Sequence, residues 1–324
     1  MHEADVNNQA PVSTELLTRL QQSIQSVIRG KNEAIQLALV TLFARGHLLI
    51  EDVPGVGKTT LAHSLARSFN CAFHRVQFTS DMLPSDVIGI SIFSQQSQRF
   101  EFRPGPIFAN IVLADEINRT TPKTQSALLE AMNEYQVTAD NHTYPLPQPF
   151  MVIATQNPIE HHGTYPLPES QLDRFLMRLH IGYPELTDEI VILKEQKAYV
   201  NLDEIEPVLS DEEVLAMQQE VEEVKVDNDL LEYIGRIAAA TRNSPHIELG
   251  VSPRGALALR RVAQAKAYFE DRDYCIPDDI KSMIEEALAH RIQVAKSFES
   301  GGIGGHREDE EILRQVVSDI EVPL

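Results

Sequence analysis

The sequence predicts an α/β fold: a P-loop core with a mainly parallel sheet over residues 1–185, then a smaller all-helical lid domain over 186–324. Three observations carry this expectation. The apolar run "HLLIE" leads into "DVPGVGKTT" and then into the helical "KTTLAHSLARSF", a strand–loop–helix order. Further strand-like runs, "HRVQFT", "ANIVLADEINR" and "MVIATQNP", alternate with helical stretches. From about Leu186 onward only amphipathic helical patterns are expected.

The elements follow in order. A first helix is expected over "STELLTRLQQSIQSVI", with Ser13 or Thr14 as its cap and Leu16, Leu17, Leu20, Ile24, Val27 and Ile28 at helical spacing. Arg29-Gly30 ends it, and "KNEAIQLALVTLFARG" forms a second helix that stops at Gly46. Two hairpins interrupt the core. The first spans about 89–104 around "SQQSQ"; the second spans about 136–150 with Asp140-Asn141 at its turn. "PESQLDRFLMRLHI" runs from helix into a last strand. In the second domain, Ser210 and Glu213 form a capping box ahead of Val214, Met217, Val221 and Val224. "SPRGALALRRVAQAKAYF" and "PDDIKSMIEEALAHRIQVAKSF" each predict one helix, and the glycine-rich "ESGGIGGHRE" precedes a last short one.

The chain has 324 residues, 43% hydrophobic and 23% charged, with a formal net charge of −20. That balance argues against a general nucleic-acid or anionic-membrane binder. Between Glu185 and Leu230 lie fifteen Asp or Glu against three Lys or Arg, more than half of the excess. This is either a solvated helical surface or an acidic docking surface. Cys71 and Cys275 stand apart, without the spacing of a zinc site or a disulfide framework. The N-terminus lacks a signal-peptide pattern, and no apolar run approaches membrane-spanning length, so a cytoplasmic location is expected.

The chemistry starts at the loop. Gly57-Lys58-Thr59 completes the G-x-x-x-x-G-K-[ST] pattern, but Asp52 stands where its first glycine belongs. Asp52, Pro54, Gly55, Val56, Gly57, Lys58, Thr59 and Thr60 are the candidate phosphate-binding residues. Gly55 and Gly57 supply backbone freedom, Lys58 reaches the terminal phosphates, and the Thr59 hydroxyl is a Mg²⁺ ligand. Asp115, at the end of "IVLAD", is the second expected Mg²⁺ ligand, and Glu116 the residue that activates water. Asn157, at the end of "MVIATQN", is placed to touch the γ-phosphate or that water. Asp52, a common turn acceptor, is expected to take hydrogen bonds from nearby loop N–H groups.

Taken together these motifs resemble the AAA+ ATPases, and within them the MoxR family. "LLIEDVPGVGKTTLA", "RVQFTSDMLPSDVIG", "GPIFANIVLADEINRTTPKTQSALLEAMNEYQVT", "VIATQNPIEHHGTYPLPESQLDRFLMR" and "GVSPRGALAL" carry the resemblance, which covers most of residues 27–260. "EDVPGVGKT" is a usual form of that family's loop. The resemblance implies an ATP-hydrolysing homo-oligomeric ring, expected to be a hexamer, that uses Mg²⁺ and remodels a protein client. Its relatives commonly work with von Willebrand A domain proteins. It further implies that Arg174 is an arginine finger acting on a neighbouring subunit, that Arg254 is a second nucleotide sensor, and that Val27, Ile28 and Gly30 sit near the adenine. A magnesium-chelatase-like motor and a DNA-acting motor are the alternatives; the acidic balance opposes the second. Arg119, Arg178 and the His161-His162 pair receive no assigned role, a solvent-facing loop being favoured over a metal site for the two histidines.

Overall fold

The computed structural model describes residues 12–158, 163–195, 205–295 and 305–323. His161, His162 and most of the glycine-rich break (300–304) lie outside the described residues. The chain opens with α1 (Val12–Gln25) and α2 (Asn32–Phe43). Ser13 and Thr14 fall inside the first turn of α1 and do not precede it as caps. Next come β1 (Leu48–Glu51), α3 (Lys58–Ser68), β2 (Phe73–Gln77) and the short α4 (Pro84–Ile88). The first hairpin is β3 (Gly89–Ser94) with β4 (Arg99–Pro104). β5 (Ile111–Asp115) and α5 (Pro122–Glu134) lead to the second hairpin, β6 (Gln136–Ala139) with β7 (His142–Pro145). Asp140 and Asn141 turn it with positive φ of 48° and 63°, the geometry that two-residue hairpin loops favour. β8 (Met151–Gln156), α6 (Glu169–Leu172) and β9 (Met177–Leu179) complete the core.

The five core strands pair in parallel in the order β2-β5-β8-β1-β9. Their residues alternate between two apolar layers. Leu48, Ile50, Leu113, Met151 and Ile153 face the side covered by α1, α2 and α3. Leu49, Val112, Ala114, Val152 and Ala154 face the side with α5. Burial on both faces explains why β1, β5 and β8 read as nearly unbroken apolar runs, whereas the edge strand β2 does not.

The second domain contains α7 (Leu186–Glu195), α8 (Asp211–Glu223), α9 (Asn228–Asn243) and β10 (Ile247–Leu249). α10 (Pro253–Phe269), α11 (Pro277–Lys281), α12 (Ile284–Leu288), β11 (Gln293–Val294) and α13 (Gly305–Ser318) follow. The Ser210–Glu213 capping box forms as expected. Three expectations need correction. β10 and β11 make a small antiparallel pair in a domain expected to hold helices alone. The stretch 277–291 is two helices and a 3-10 turn, because His290 and Arg291 turn inward to meet the carbonyls of Phe175 and Leu176. α13 runs for 14 residues and is not short.

Nor is the helical domain packed on its own. Its buried Val214, Met217, Ile237, Leu259 and Val262 share one continuous apolar cluster with α1, α2 and one sheet face. Gln218 donates to Leu42 O (2.7 Å) and Arg261 to Arg45 O (2.6 Å), fastening the domain to the end of α2. α8 and α10 therefore lie at the edge where the strands begin. No helix among the described residues is long and apolar enough to cross a membrane.

Candidate nucleotide site

Parallel strands bring their C-terminal ends to one edge of a sheet. That edge carries the loop after β1, Asp115 and Glu116 at the end of β5, and Asn157 just past β8. Because β8 lies between β5 and β1, Asn157 sits between the acidic pair and the loop. Gly55 and Gly57 take positive φ (90° and 98°), and a Cβ on either would meet nothing within 4 Å. Here the glycines meet a demand of backbone conformation, since a side chain at positive φ is strained. Gly57 caps α3, so the N–H groups of Lys58, Thr59 and Thr60 open its first turn and suit an anion. Pro54 and Gly55 are exposed, Val56 is buried, and Thr59 and Thr60 are partly open. Lys58 is largely buried, and its Nζ donates to Asp52 O at 2.7 Å. Burial lowers its pKa from the ordinary lysine value, while Asp115, Asp52 and Glu116 pull it back up. A buried cation held beside the first turn of α3 fits a phosphate.

Asp52 does more than cap its own loop. Its Oδ1 accepts from Val53 N at 2.9 Å, as the sequence suggests. Its Oδ2 accepts from Ile181 N (2.8 Å) and Gly182 N (2.6 Å), just beyond β9. A glycine here would leave two N–H groups unmet, so the departure from the loop pattern fastens the loop to the chain that leads into α7. Asp52→Ala is expected to cost about 1.5–3 kcal/mol in total, and to weaken ATP binding as the loop loosens. Denaturant titration and equilibrium ATP binding check this.

The acidic pair is held by residues that the motif does not name. Thr155 donates to Asp115 Oδ1 (2.6 Å) and accepts from Glu116 N (2.9 Å). Arg75 pairs with Asp115 Oδ2 at 2.7 Å. Gln77 donates to Glu116 Oε2 (2.6 Å), and Arg119 pairs with that oxygen at 3.1 Å. Glu116 itself stands in the left-handed region (φ 58°, ψ 50°), a conformation that costs about 1–3 kcal/mol and collects at functional sites. Its backbone bond to Thr155 and its two side-chain partners hold it there. The oxygen-rich set of Thr59 and Asp115 fits Mg²⁺, the oxygen now taken by Arg75 being the one to release. Groups of three or more His, Cys, Asp or Glu that could bind a metal by themselves are absent among the described residues.

The expected adenine contacts gather at the same edge. Ile28 is buried, Val27 half-buried, and Gly30 (φ 70°) faces Asp188 of α7. Beside them a cavity of about 270 Å³ is lined by Gly30, Lys31, His180, Ile181, Glu286 and Glu310, among others. Arg178 sits behind it, buried against Glu51 at 3.2 Å and Glu310 at 3.3 Å. It anchors α13 to β9. Burial raises Asp309 to about 7 and Glu286 to about 7. A hydrogen bond to Glu310 raises His180, and the same bond lowers Glu310. Between about pH 4 and 7 the folded state holds more protons on Asp309 and Glu286 than the unfolded state, so stability from these groups falls as pH rises through 7. The raised His180 adds loss in the same direction above its ordinary value. Glu310 opposes them only toward acid pH. The protection of α13 amides against exchange, taken relative to the intrinsic rate at each pH, is thus expected to be greater near pH 6 than near pH 8.

Arg174 and Arg254 are elsewhere. Arg174 precedes Met177, which pairs with Leu48, the first residue of β1. The loop lies beyond Glu51, so the full length of β1, about 10 Å at 3.3 Å per residue, separates the two. Arg174 donates to Leu129 O at 2.6 Å. It shares a groove of about 540 Å³ with Arg45, Arg254, Leu257, Arg260 and Arg261, among others. Ser252 caps α10 through Gly255 N (3.1 Å), with Pro253 and exposed Arg254 in the first turn, as the sequence predicts. The structure therefore does not bring Arg254 to this chain's own phosphate loop. It joins Arg174 instead. Asp173 links the two: its carboxylate accepts from Ser252 Oγ at 3.2 Å and pairs with buried Arg291.

Comparison with known proteins agrees with this architecture. Residues 47–177 match the ATPase family associated with various cellular activities (AAA), and residues 239–316 match the AAA lid domain. The chain is 49% identical over 309 residues to the uncharacterized protein YeaC of Bacillus subtilis, covering 95% of each chain. It is 38% identical over 302 residues to the chaperone MoxR1 of Mycobacterium tuberculosis, covering 90% of this chain and 80% of that one. The crystal structure of a candidate ATPase from Cytophaga hutchinsonii superimposes with a TM-score of 0.87 at 38% identity, over 96% of both chains. With the P-loop core, the lid and these full-length relatives in agreement, the chain belongs to the MoxR family of AAA+ ATPases.

Proposed function

We propose that this protein is a Mg²⁺-dependent ATPase whose catalytic sites are completed between subunits of a cytoplasmic ring, expected to be hexameric, and whose cycle remodels a protein client. One observation carries the reading: the phosphate loop and acidic pair lie at one edge of the sheet, whereas Arg174 and Arg254 lie together at the other. Neither arginine lies at its own loop, which supports a role for both at a neighbour's.

In this reading Lys58 and the first turn of α3 bind the terminal phosphates, and Thr59 and Asp115 hold Mg²⁺. The metal, when bound, spreads the charge that develops on the phosphate oxygens. Glu116 takes the proton of the attacking water, Asn157 orients that water, and the neighbour's arginines stabilise charge in the transition state. The kinship to a protein named as a chaperone supports a protein client. A von Willebrand A domain protein is the first candidate.

Arg174→Ala and Arg254→Ala variants test the division of labour. Each is expected to lose most ATP turnover while a dilute, monomeric chain binds ATP as the parent does. Weakened binding in the monomer would place that arginine at its own loop and overturn the reading. Affinity capture with Glu116→Gln as a trap tests the client; captures without a von Willebrand A domain protein would remove that assignment.

A further inference from the structure

β8 buries one hydroxyl inside the sheet. Thr155 is fully buried, on a strand whose other buried residues are Met151, Val152, Ile153 and Ala154. A hydroxyl taken out of water is costly unless its hydrogen bonds are made. This one makes two, and both go to the acidic pair. It donates to Asp115 Oδ1 (2.6 Å) and accepts from Glu116 N (2.9 Å), because β8 lies directly beside β5.

The other groups that hold the pair are more open. Arg75 and Gln77 reach across from β2, and Arg119 reaches back from the turn after β5. The Arg75 side chain is 48% exposed, and it must leave Asp115 Oδ2 before a metal can take that oxygen. The Thr155 bond needs no such exchange. It holds Oδ1, and so fixes the rotation of the carboxylate while Oδ2 changes partner. The same hydroxyl holds Glu116 N, and with it the left-handed backbone from which the Glu116 side chain departs.

We propose that Thr155 is a positioning residue for ATP hydrolysis, its hydroxyl setting the Asp115 carboxylate for Mg²⁺ and the Glu116 backbone for the attacking water. The inference rests on the reading that Asp115 holds the metal and Glu116 takes the proton. Thr155 touches no reacting atom and acts through those two residues. Partners that orient a metal-holding side chain are commonly worth about 10–100-fold in metal affinity or activity.

Equilibrium ATP binding, measured in EDTA and in Mg²⁺, tests this without reading catalysis. A Glu116→Gln background keeps ATP intact during the measurement. Thr155→Val is expected to bind ATP in EDTA within a few-fold of that background, and to lose about tenfold or more of the affinity that Mg²⁺ adds. Thr155→Ala removes the hydroxyl without setting a methyl against Asp115, and should lose the same. Thr155→Ser keeps the hydroxyl and should keep the response to Mg²⁺. With Glu116 intact, the two hydroxyl-free variants should need about tenfold more Mg²⁺ for half-maximal turnover. Equal losses in EDTA and in Mg²⁺ would make Thr155 a structural residue only and overturn the proposal, as would Thr155→Ser behaving like Thr155→Val. Asp115→Asn separates the two levels of the argument. If it keeps the full response to Mg²⁺, the metal reading fails and the inference with it. If it loses that response while the two hydroxyl-free variants keep theirs, only the role of Thr155 falls.

Discussion

Glu116→Gln lowers ATP turnover by roughly 100-fold or more, the usual worth of a positioned general base, and leaves ATP binding within a few-fold of the parent. The substitution removes the basic oxygen that accepts the water proton but keeps the shape of the side chain. The backbone bond from Glu116 N to Thr155 Oγ1 is unaffected, so the left-handed turn and the placement of Asp115 persist. Lys58, Thr59 and the glycine loop are also untouched. Steady-state turnover paired with equilibrium ATP binding separates the two effects. Equal losses in both would mean that Glu116 shapes the loop and does not act on water.

Arg291→Met has the largest expected effect on stability, about 3–5 kcal/mol, because it strips the partner from a buried charge pair. Arg291 donates to Asp173 O (2.8 Å) and Phe175 O (2.5 Å) and pairs with the Asp173 carboxylate. Methionine fills the volume but leaves those acceptors unmet. These residues flank Arg174, and Asp173 also receives the cap of α10, so both arginines of the groove lose their common support. Turnover is expected to fall with ATP binding retained. Lysine would keep the charge without the fork that meets several acceptors, and should recover only part of the loss. Adding Asp173→Asn to Arg291→Met should cost less than the sum of the two, since both act on one network. Denaturation midpoints of the four chains check the cycle.

Residues whose job is set by their own strand were legible in the sequence. Asp115, Glu116 and Asn157 follow apolar runs, Lys58 follows another across the glycine loop, and parallel pairing then forces those ends to one edge. Thr155 was less visible, being one polar residue in a buried strand whose partners lie on another strand. The position of Arg254 was not legible at all. Its cap and first turn follow from local sequence, but its neighbours depend on how the lid docks on α2 and the α6–β9 turn. β10 and β11, three and two residues long, leave too little pattern to find. Asp52 lies between these cases: its turn bond was foreseeable, its hold on Ile181 and Gly182 was not.

In the proposed ring each ATPase site is assembled from two chains. Mixing Glu116→Gln chains with Arg174→Ala chains, each inactive alone, tests this directly. An interface that pairs the intact Glu116 of one with the intact Arg174 of the other is complete. Random assembly of equal amounts should then restore about a quarter of the parent's turnover, as expected for a head-to-tail contact. A mixture that stays as inactive as its two components, under conditions where subunits demonstrably exchange, would contradict the account.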